Sequence, residues 1–473
     1  MTTTTKYDCL IVGGGVSGTA LLYELGRFTN LKRIGLLEKL DRPAQANSHA
    51  HNNSQTLHWG DIETQANPEQ AIRARRAATM VVNYATKLPP RDRDRMIQRM
   101  SRLVLGVGSA ECAAIRQRYQ VLKEDFPGLQ LLDAQAIADL EPNVALVQGK
   151  PRPDQILALG RDSDWSAADY RILSESFSTQ CVRLDRLTDR NVTQLYGTDV
   201  KAIRKEGDSY LLDTSRGLMQ ARSVVVCAGG HGLRLAQGLG LGRNLAMLPV
   251  VGTYHQATDM LRGKVYRIQR PGRPFPALNG GPDFQSRETT RFGPVSMILA
   301  NLSPSQKVGL SNFLTLFRHE DPDVAATIRD LGESADLRAD LVRHLFFRMP
   351  VLGPMRFARA LQEIVPRIQA RDIEFIAEMG GIRPQVIDKS QRALRLEDTR
   401  ILDGEGLIFN ITPSPGGTSC LWHAEQDMRY LAGYLGASID WGAFERELLE
   451  GEVPNPSVQS VQIHPALGAA SVA

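Results

Sequence analysis

An apolar run leads straight into a glycine cluster near the start of the chain, and this junction restricts the fold more than any other feature. Tyr7-Asp8-Cys9-Leu10-Ile11-Val12 reads as a short buried parallel strand. It is followed by Gly13-Gly14-Gly15-Val16-Ser17-Gly18, then by an alanine- and leucine-rich stretch of helical periodicity reaching Arg27. Gly13, Gly15 and Gly18 fall in the G-x-G-x-x-G frame, after a strand and at the opening of a helix. This answers three physical demands: a tight turn, a backbone that a pyrophosphate can approach, and close packing of helix on strand. The helix start adds unpaired N–H groups and the positive end of a dipole. A second strand, Ile34-Gly35-Leu36-Leu37, ends at Glu38, about 20 residues past Gly18, where an acid can hydrogen-bond a ribose hydroxyl. Gly13, Gly15, Val16, Ser17, Gly18, Glu38 and the adjoining Lys39 are the expected grip on a dinucleotide.

The chain has 473 residues, enough for two or three domains at about 150 residues each. Its net charge of +4 comes without any Lys/Arg run interleaved with aromatics, so nucleic acid is not expected as a partner. Cys9, Cys112, Cys181, Cys227 and Cys420 show no C-x-x-C spacing, which argues for a reducing compartment and against disulfides or zinc. The N-terminus lacks an apolar signal core, and nothing approaches the roughly 18 consecutive apolar residues that span a bilayer. The expectation is a cytoplasmic protein, or one attached to a membrane surface.

After Glu38 comes a polar stretch, Asn47 to Asp61, carrying His49, His51 and His58 with Asn47, Asn52 and Asn53. No carboxylate pair frames these histidines at metal-ligand spacing, so no metal is expected. The concentration of donors and acceptors suits a segment lying against the polar edge of a redox ring, with Asn52, Asn53 and Ser54 facing it. Ala71 to Leu88 and Asp92 to Leu105 read as helices whose arginines, Arg102 among them, form a solvated face. Ala110 to Lys123 and Ala134 to Leu140 read as further helices, and Asp162-Ser163-Asp164-Trp165-Ser166 as a cap before a helix from Ala167 to Phe177. Val200–Lys205 and Tyr210–Thr214 alternate around Gly207-Asp208 as a hairpin. Ser223 to Gly230 is an apolar strand ending in Ala228-Gly229-Gly230, small residues suited to passing a cofactor; Val200, Ala228 and Gly229 join the expected cofactor site. Strands resume at Met247–Ala257 and Gly263–Gln269. Leu341 to Val365, with Arg343, His344, Arg348, Arg356 and Arg359, reads as an amphipathic helix that packs on the core or lies on a membrane. Late in the chain, the strand Leu407–Ile411 leads through Thr412-Pro413-Ser414-Pro415-Gly416-Gly417-Thr418-Ser419 into a helix from Cys420 to Leu435. This second glycine-rich turn aims another helix start at developing negative charge, with Gly416, Gly417, Thr418 and Ser419 at the cofactor.

Together these segments resemble an FAD-dependent oxidoreductase of the D-amino-acid-oxidase/glutathione-reductase-like superfamily. Asn53-Ser54-Gln55-Thr56-Leu57-His58-Trp59-Gly60 is similar to the flavin-facing segment of L-2-hydroxyglutarate oxidases. Asn52-Asn53, Arg291-Phe292-Gly293-Pro294 and the Ser-Pro-Gly turn are similar to malate:quinone oxidoreductases, although Ser54 and Gln55 stand where those enzymes have Ala-Gly. The resemblance implies an α/β protein, a Rossmann-like FAD-binding domain with a substrate domain of mixed β-sheet plus helices, interleaved in sequence. The expected partition is FAD-binding segments at 1–85, 171–245 and 376–450, a helical cap segment at 86–170, the substrate domain at 246–375, and a tail at 451–473.

The implied activity is oxidation of a malate-like L-2-hydroxy acid by hydride transfer to non-covalent FAD, with electrons passed to a quinone at the inner face of the plasma membrane. The competing implications are an L-2-hydroxyglutarate oxidase and an amine or amino-acid oxidase using oxygen. The chemistry needs a base for the hydroxyl proton, for which His58 and His255 stand open. It needs cations for the carboxylate, for which Arg383 and Arg291 fit. It needs a positive field near flavin N1, supplied by the helix start at Gly416 to Ser419 with His423 nearby.

Overall fold

In the computed structural model the described residues are 6–62, 67–187, 189–269, 276–298, 326, 330, 339, 342–344, 346–347, 349, 352–395, 398–412 and 416–453. Two large sheets organise them. In the first, the strands run in the order Thr399–Leu402, Leu407–Ile411, Gly217–Val226, Lys6–Val12, Arg33–Glu38 and Asn191–Tyr196. All these neighbours pair in parallel except the edge strand Thr399–Leu402. The strand pleat sorts its side chains between two cores. Cys9, Ile11, Ile34, Leu36, Val225 and Ile408 face one core, where Val16–Phe28, Tyr170–Leu187 and Cys420–Leu435 supply Leu21, Phe177 and Leu421. Leu10, Val12, Leu37, Val224, Val226 and Phe409 face the other, closed by Val200 and Tyr210 of the Val200–Glu206 and Ser209–Thr214 hairpin. A sheet covered on both faces explains why these strands are continuously apolar.

The second sheet has nine strands, ordered Ala393–Arg395, Glu374–Asp388, Leu245–Thr258, Thr289–Ile298, Asn279–Pro282, Lys264–Arg267, Ile97–Val107, Ile156–Ala168 and Gln130–Leu132. Leu103, Leu105, Val265 and Phe292 form a core on one of its faces with Phe357 and Leu361 of the helix Leu352–Leu361.

Two expectations are overturned in this sheet. The helix from Asp92 to Leu105 ends at Met96, and Ile97–Val107 is a strand paired with Ile156–Ala168. Arg102, expected on a solvated face, is 1 % exposed and bridges Asp61 Oδ2 at 2.6 Å and Asp164 Oδ2 at 3.2 Å. Burying that guanidinium is tolerable only because both carboxylates meet it there. Asp162 to Ser166 lie within the strand Ile156–Ala168, and the cap of the following helix is Asp169, whose Oδ1 accepts from Arg171 N and Ile172 N. Residues 86–170 therefore give strands to the second sheet rather than a purely helical cap. The boundary expected at 376 falls inside the strand Glu374–Asp388. Leu341 and Arg348 lie outside the described residues, as does the tail from 454. Among the described residues no helix is long and apolar enough to cross a membrane.

Candidate active site

The first glycine turn is built by exclusion. Gly13 has φ +110, and a Cβ there would stand 2.5 Å from the Cys227 carbonyl oxygen; a Cβ at Gly18 would stand 1.9 Å from the Gly13 carbonyl oxygen. The same Gly13 position lies 3.2 Å from Ala228 N, so the end of the Gly217–Val226 strand passes directly against the turn. Gly229 follows with φ +54, and Val200 is buried beside Leu37. The helix Val16–Phe28 opens with no side-chain cap from Gly15 and no acid in its first turn, so no carboxylate on its first turn repels an anion. Ser48 approaches this helix start, its Oγ accepting from Val16 N at 3.0 Å. Glu38 braces the turn, Oε2 accepting from Gly14 N at 2.6 Å and Oε1 from Leu40 N at 2.8 Å. A carboxylate has about four lone-pair sites, so acceptor capacity remains for a ribose hydroxyl. Lys39 is exposed next to it.

The polar stretch docks onto the second sheet at one strand. Asn47 Nδ2 donates to Ile382 O at 2.7 Å while Asn47 Oδ1 accepts from Ile382 N at 3.0 Å. A Cβ at Gly381 would lie 2.1 Å from Asn52 O, which is why glycine sits there. Asn52 and Asn53, expected to present donors to a ring, also shape the loop. Asn52 Nδ2 donates to Ala46 O, Asn53 Nδ2 to Asn47 O and His49 O, and Asn53 Oδ1 accepts from Gln55 N. Short polar side chains close to their own backbone are well placed for such local bonds.

The stretch then meets the second glycine turn. Tyr170 OH donates to Thr56 O at 2.5 Å and lies 2.8 Å from Thr418 Oγ1, which accepts from His58 N at 3.0 Å. A Cβ at Gly417 would lie 2.7 Å from the Tyr170 ring, and one at Gly416 would lie 2.9 Å from Thr412 Cγ2. The helix Cys420–Leu435 begins just beyond, after Ser419, with neither a side-chain cap nor an acid in its first turn. Both glycine turns, the 47–58 stretch and the Gly380–Arg383 strand are thus tied together by named hydrogen bonds and close approaches.

Of the reacting groups expected, the structure keeps two at this junction. His58 is half-buried at the point where Thr418 holds its backbone. Arg383 is also half-buried, and the pleat puts it on the same face as Gly381, the face that Asn52 covers. Its guanidinium has no hydrogen-bond or ion-pair partner among the described residues, while its backbone pairs with Val250.

The other two belong elsewhere. Arg291 is 5 % exposed, and its guanidinium is spent on Ala50 O at 2.9 Å, His51 O at 3.1 Å and Asp283 Oδ2 at 3.3 Å. It holds the protein's own carbonyls rather than a substrate carboxylate. His255 pairs across the sheet with Phe292 and stacks on Phe357 at 4.2 Å, in the helix-covered core. Its neighbours Tyr254 and Gln256 share the opposite face with Arg291, which lies 4.9 Å over the Tyr254 ring. His255 therefore faces away from the 47–58 stretch. His423 points its Nε2 at Asp398 Oδ2, 2.9 Å away.

Sequence reasoning missed Ser48, Gln55, Lys264 and Asp283. Gln55 is fully buried with φ +52, and its amide bonds Ala50 O, Asp283 Oδ2 and Phe284 N. Lys264 Nζ donates to Ser54 O at 3.2 Å, and burial presses its ammonium down to about 7. Only its place between two other strands makes that lysine unusual, and nothing local signals it.

The residues fit FAD. The Gly13 cradle has no room for a side chain, the helix beside it carries no acid in its first turn, and Glu38 at the end of the second strand would meet a ribose hydroxyl. The chain matches the family described as FAD dependent oxidoreductase over residues 8–425. It is 36 % identical to a malate:quinone oxidoreductase of Helicobacter pylori over 453 residues, which cover 95 % of this chain and 99 % of that one. It is 35 % identical to a probable malate:quinone oxidoreductase of Campylobacter jejuni, covering 94 % and 99 %. Among solved structures, L-alpha-glycerophosphate oxidase from Mycoplasma pneumoniae with FAD bound shares the fold with a TM-score of 0.61 at 18 % identity, covering 92 % of this chain and 96 % of that one. Glycine oxidase from Geobacillus kaustophilus shares it at 0.59 and 17 %, covering 92 % and 95 %. With the cofactor cradle built as it is, these matches place the chain in the family of FAD-dependent oxidoreductases, alongside the malate:quinone oxidoreductases.

Proposed function

We propose that the protein oxidises L-malate, or a closely similar L-2-hydroxy acid, to the 2-oxo acid and passes the electrons to a quinone. The observation that carries this is Arg383: a half-buried guanidinium without a protein partner among the described residues, on the face covered by the stretch that carries His58. A guanidinium fork grips a carboxylate bidentately and fixes the adjacent carbon. His58 takes the hydroxyl proton as the carbon gives up its hydride, since imidazole is the side chain suited to proton transfer near neutrality. The start of Cys420–Leu435 directs a positive dipole end at the charge that develops opposite. Bound FAD supplies the hydride acceptor and the electron store from which a quinone is reduced. The Helicobacter and Campylobacter relatives, named for malate and quinone and matched over nearly their whole length, support the same substrate pair.

A quinone dissolved in a bilayer calls for a membrane-facing surface, placed here on the inner face of the plasma membrane. The helix Leu352–Leu361 offers one: Leu352 and Met355 are 47 % and 59 % exposed, Arg356 and Arg359 are exposed on the same side, and Phe357 and Leu361 are buried on the other. Apolar anchors flanked by arginines suit an anionic lipid surface. Sedimentation with anionic vesicles, lost in a Leu352→Glu/Met355→Glu variant, is expected. Equal retention of both proteins would refute this surface. The reaction itself is tested by turnover with a soluble quinone on L-malate, L-2-hydroxyglutarate, L-lactate, glycine and L-proline. L-Malate should dominate kcat/KM. Preferential turnover of an amino acid with oxygen would overturn the reading.

A further inference from the structure

Behind the 47–58 stretch lies a buried charged cluster that the proposed chemistry does not use. Lys264 is 5 % and Asp283 6 % exposed; Asp283 pairs with Arg291, whose charge also acts on Lys264. Asp283 Oδ2 accepts from Gln55 Nε2 and from Arg291 Nη1, each at 3.3 Å, while its Oδ1 accepts from Gln285 N and Ser286 N. Arg291 reaches the front half of the stretch through Ala50 O and His51 O. Lys264 reaches its middle, Nζ donating to Ser54 O at 3.2 Å and to Pro282 O at 3.5 Å. Tyr266, on the same face of the Lys264–Arg267 strand, lies 2.5 Å from Thr56 Oγ1. The sheet thus grips the stretch at Ala50, His51, Ser54 and Thr56, and Ser54 is the last of these carbonyls held by a charged side chain before His58.

We propose that Lys264 is a positioning residue for the oxidation, setting through its bond to the Ser54 carbonyl where the following segment presents His58. The inference rests on His58 serving as the base. Neutral donors would satisfy the Ser54 and Pro282 carbonyls at far less desolvation cost than a buried lysine. Burial first, and the Arg291 charge second, press the Lys264 ammonium down to about 7, with only Asp283 opposing. The bond acts through backbone and leaves Arg383 untouched, so its loss should disturb proton transfer far more than carboxylate binding.

The test is the Lys264→Met variant as FAD-loaded protein, with Lys264→Leu read in the same way if the Met form does not accumulate. Flavin content should match the parent, KM for L-malate should stay within about twofold, and kcat should fall about 10- to 100-fold, the scale of a small misplacement of a catalytic group. An unchanged kcat would overturn the proposal. So would a parallel loss of flavin, KM and kcat, which a merely structural lysine would give. His58→Gln, made alongside, keeps the two readings apart. Full kcat in that variant refutes the base, whereas a crippled His58→Gln beside a fully active Lys264→Met refutes the positioning role alone.

Discussion

Replacing Thr418 by Val keeps the shape of the side chain and removes only its hydroxyl, which ties the second glycine turn to the His58 backbone. That oxygen accepts from His58 N at 3.0 Å and lies 2.8 Å from Tyr170 OH, on a residue 1 % exposed. Tyr170 OH keeps its bond to Thr56 O at 2.5 Å, so the change takes the Thr418 acceptor from one part-buried donor, the His58 N–H. Losing that acceptor costs at most the roughly 1–3 kcal/mol of a fully buried unsatisfied donor. If the local structure stays in place, the cost appears in full as lost stability, a fall of about 2–4 °C or less in the melting midpoint per kcal/mol for a chain of this size. If the His58 backbone moves to find water, stability recovers but the base leaves its position; the same 1–3 kcal/mol then appears as about a 5- to 150-fold loss in kcat. The assay is therefore paired, with thermal melting and quinone-coupled turnover measured on one preparation. Thr418→Ser, which keeps the hydroxyl, serves as control. A Thr418→Val protein with the parent's midpoint and the parent's kcat would refute the reasoning.

Other perturbations probe separate parts of the account. Arg383→Ala should raise KM for L-malate about 10- to 100-fold by removing a charge-assisted fork, with flavin content unchanged, as titration with substrate and flavin absorbance will show. Gly13→Ala adds a methyl 2.5 Å from the Cys227 carbonyl at φ +110, so the purified protein should emerge without FAD, read from its visible spectrum. His344 is buried, and its Nδ1 accepts from Ser296 N at 3.1 Å. Burial, aided by Arg343, lowers its pKa from 6.5 to about 4, so the unfolded state binds the extra proton first. Stability should therefore fall as pH drops from about 6.5 to about 4, by about 3 kcal/mol over the window, while His344→Asn, which keeps an acceptor, should show a shallower decline in melting midpoint.

The parts legible in the sequence are those whose chemistry is local. Gly13 and Gly18 follow a strand and open a helix within a dozen residues, and the steric demands of that turn do not depend on the rest of the chain. The helix Cys420–Leu435 is marked in the same way by Gly416 and Gly417 before it. Misread residues have partners far along the chain. Arg102 looks like part of a solvated arginine face until Asp61 and Asp164 arrive to pair with it. Arg291 looks like a substrate clamp until Ala50, His51 and Asp283 claim its nitrogens. His255 turns on a single register question: the irregularity between Thr253 and His255 decides which face it takes, and no period-two pattern reveals a bulge. Lys264 is an ordinary strand residue by sequence, and only burial between the strands Ile97–Val107 and Asn279–Pro282 makes it exceptional.

The central claim is that this flavin site takes electrons from an L-2-hydroxy acid and gives them to a quinone. The most direct test is an anaerobic titration of the FAD-loaded protein with L-malate, followed by mixing of the reduced protein with a soluble quinone or with air-saturated buffer. L-Malate should bleach the oxidised flavin band, and the quinone should restore it faster than air. A flavin that L-malate leaves oxidised while an amino acid bleaches it, or one that air reoxidises faster than the quinone, would contradict it.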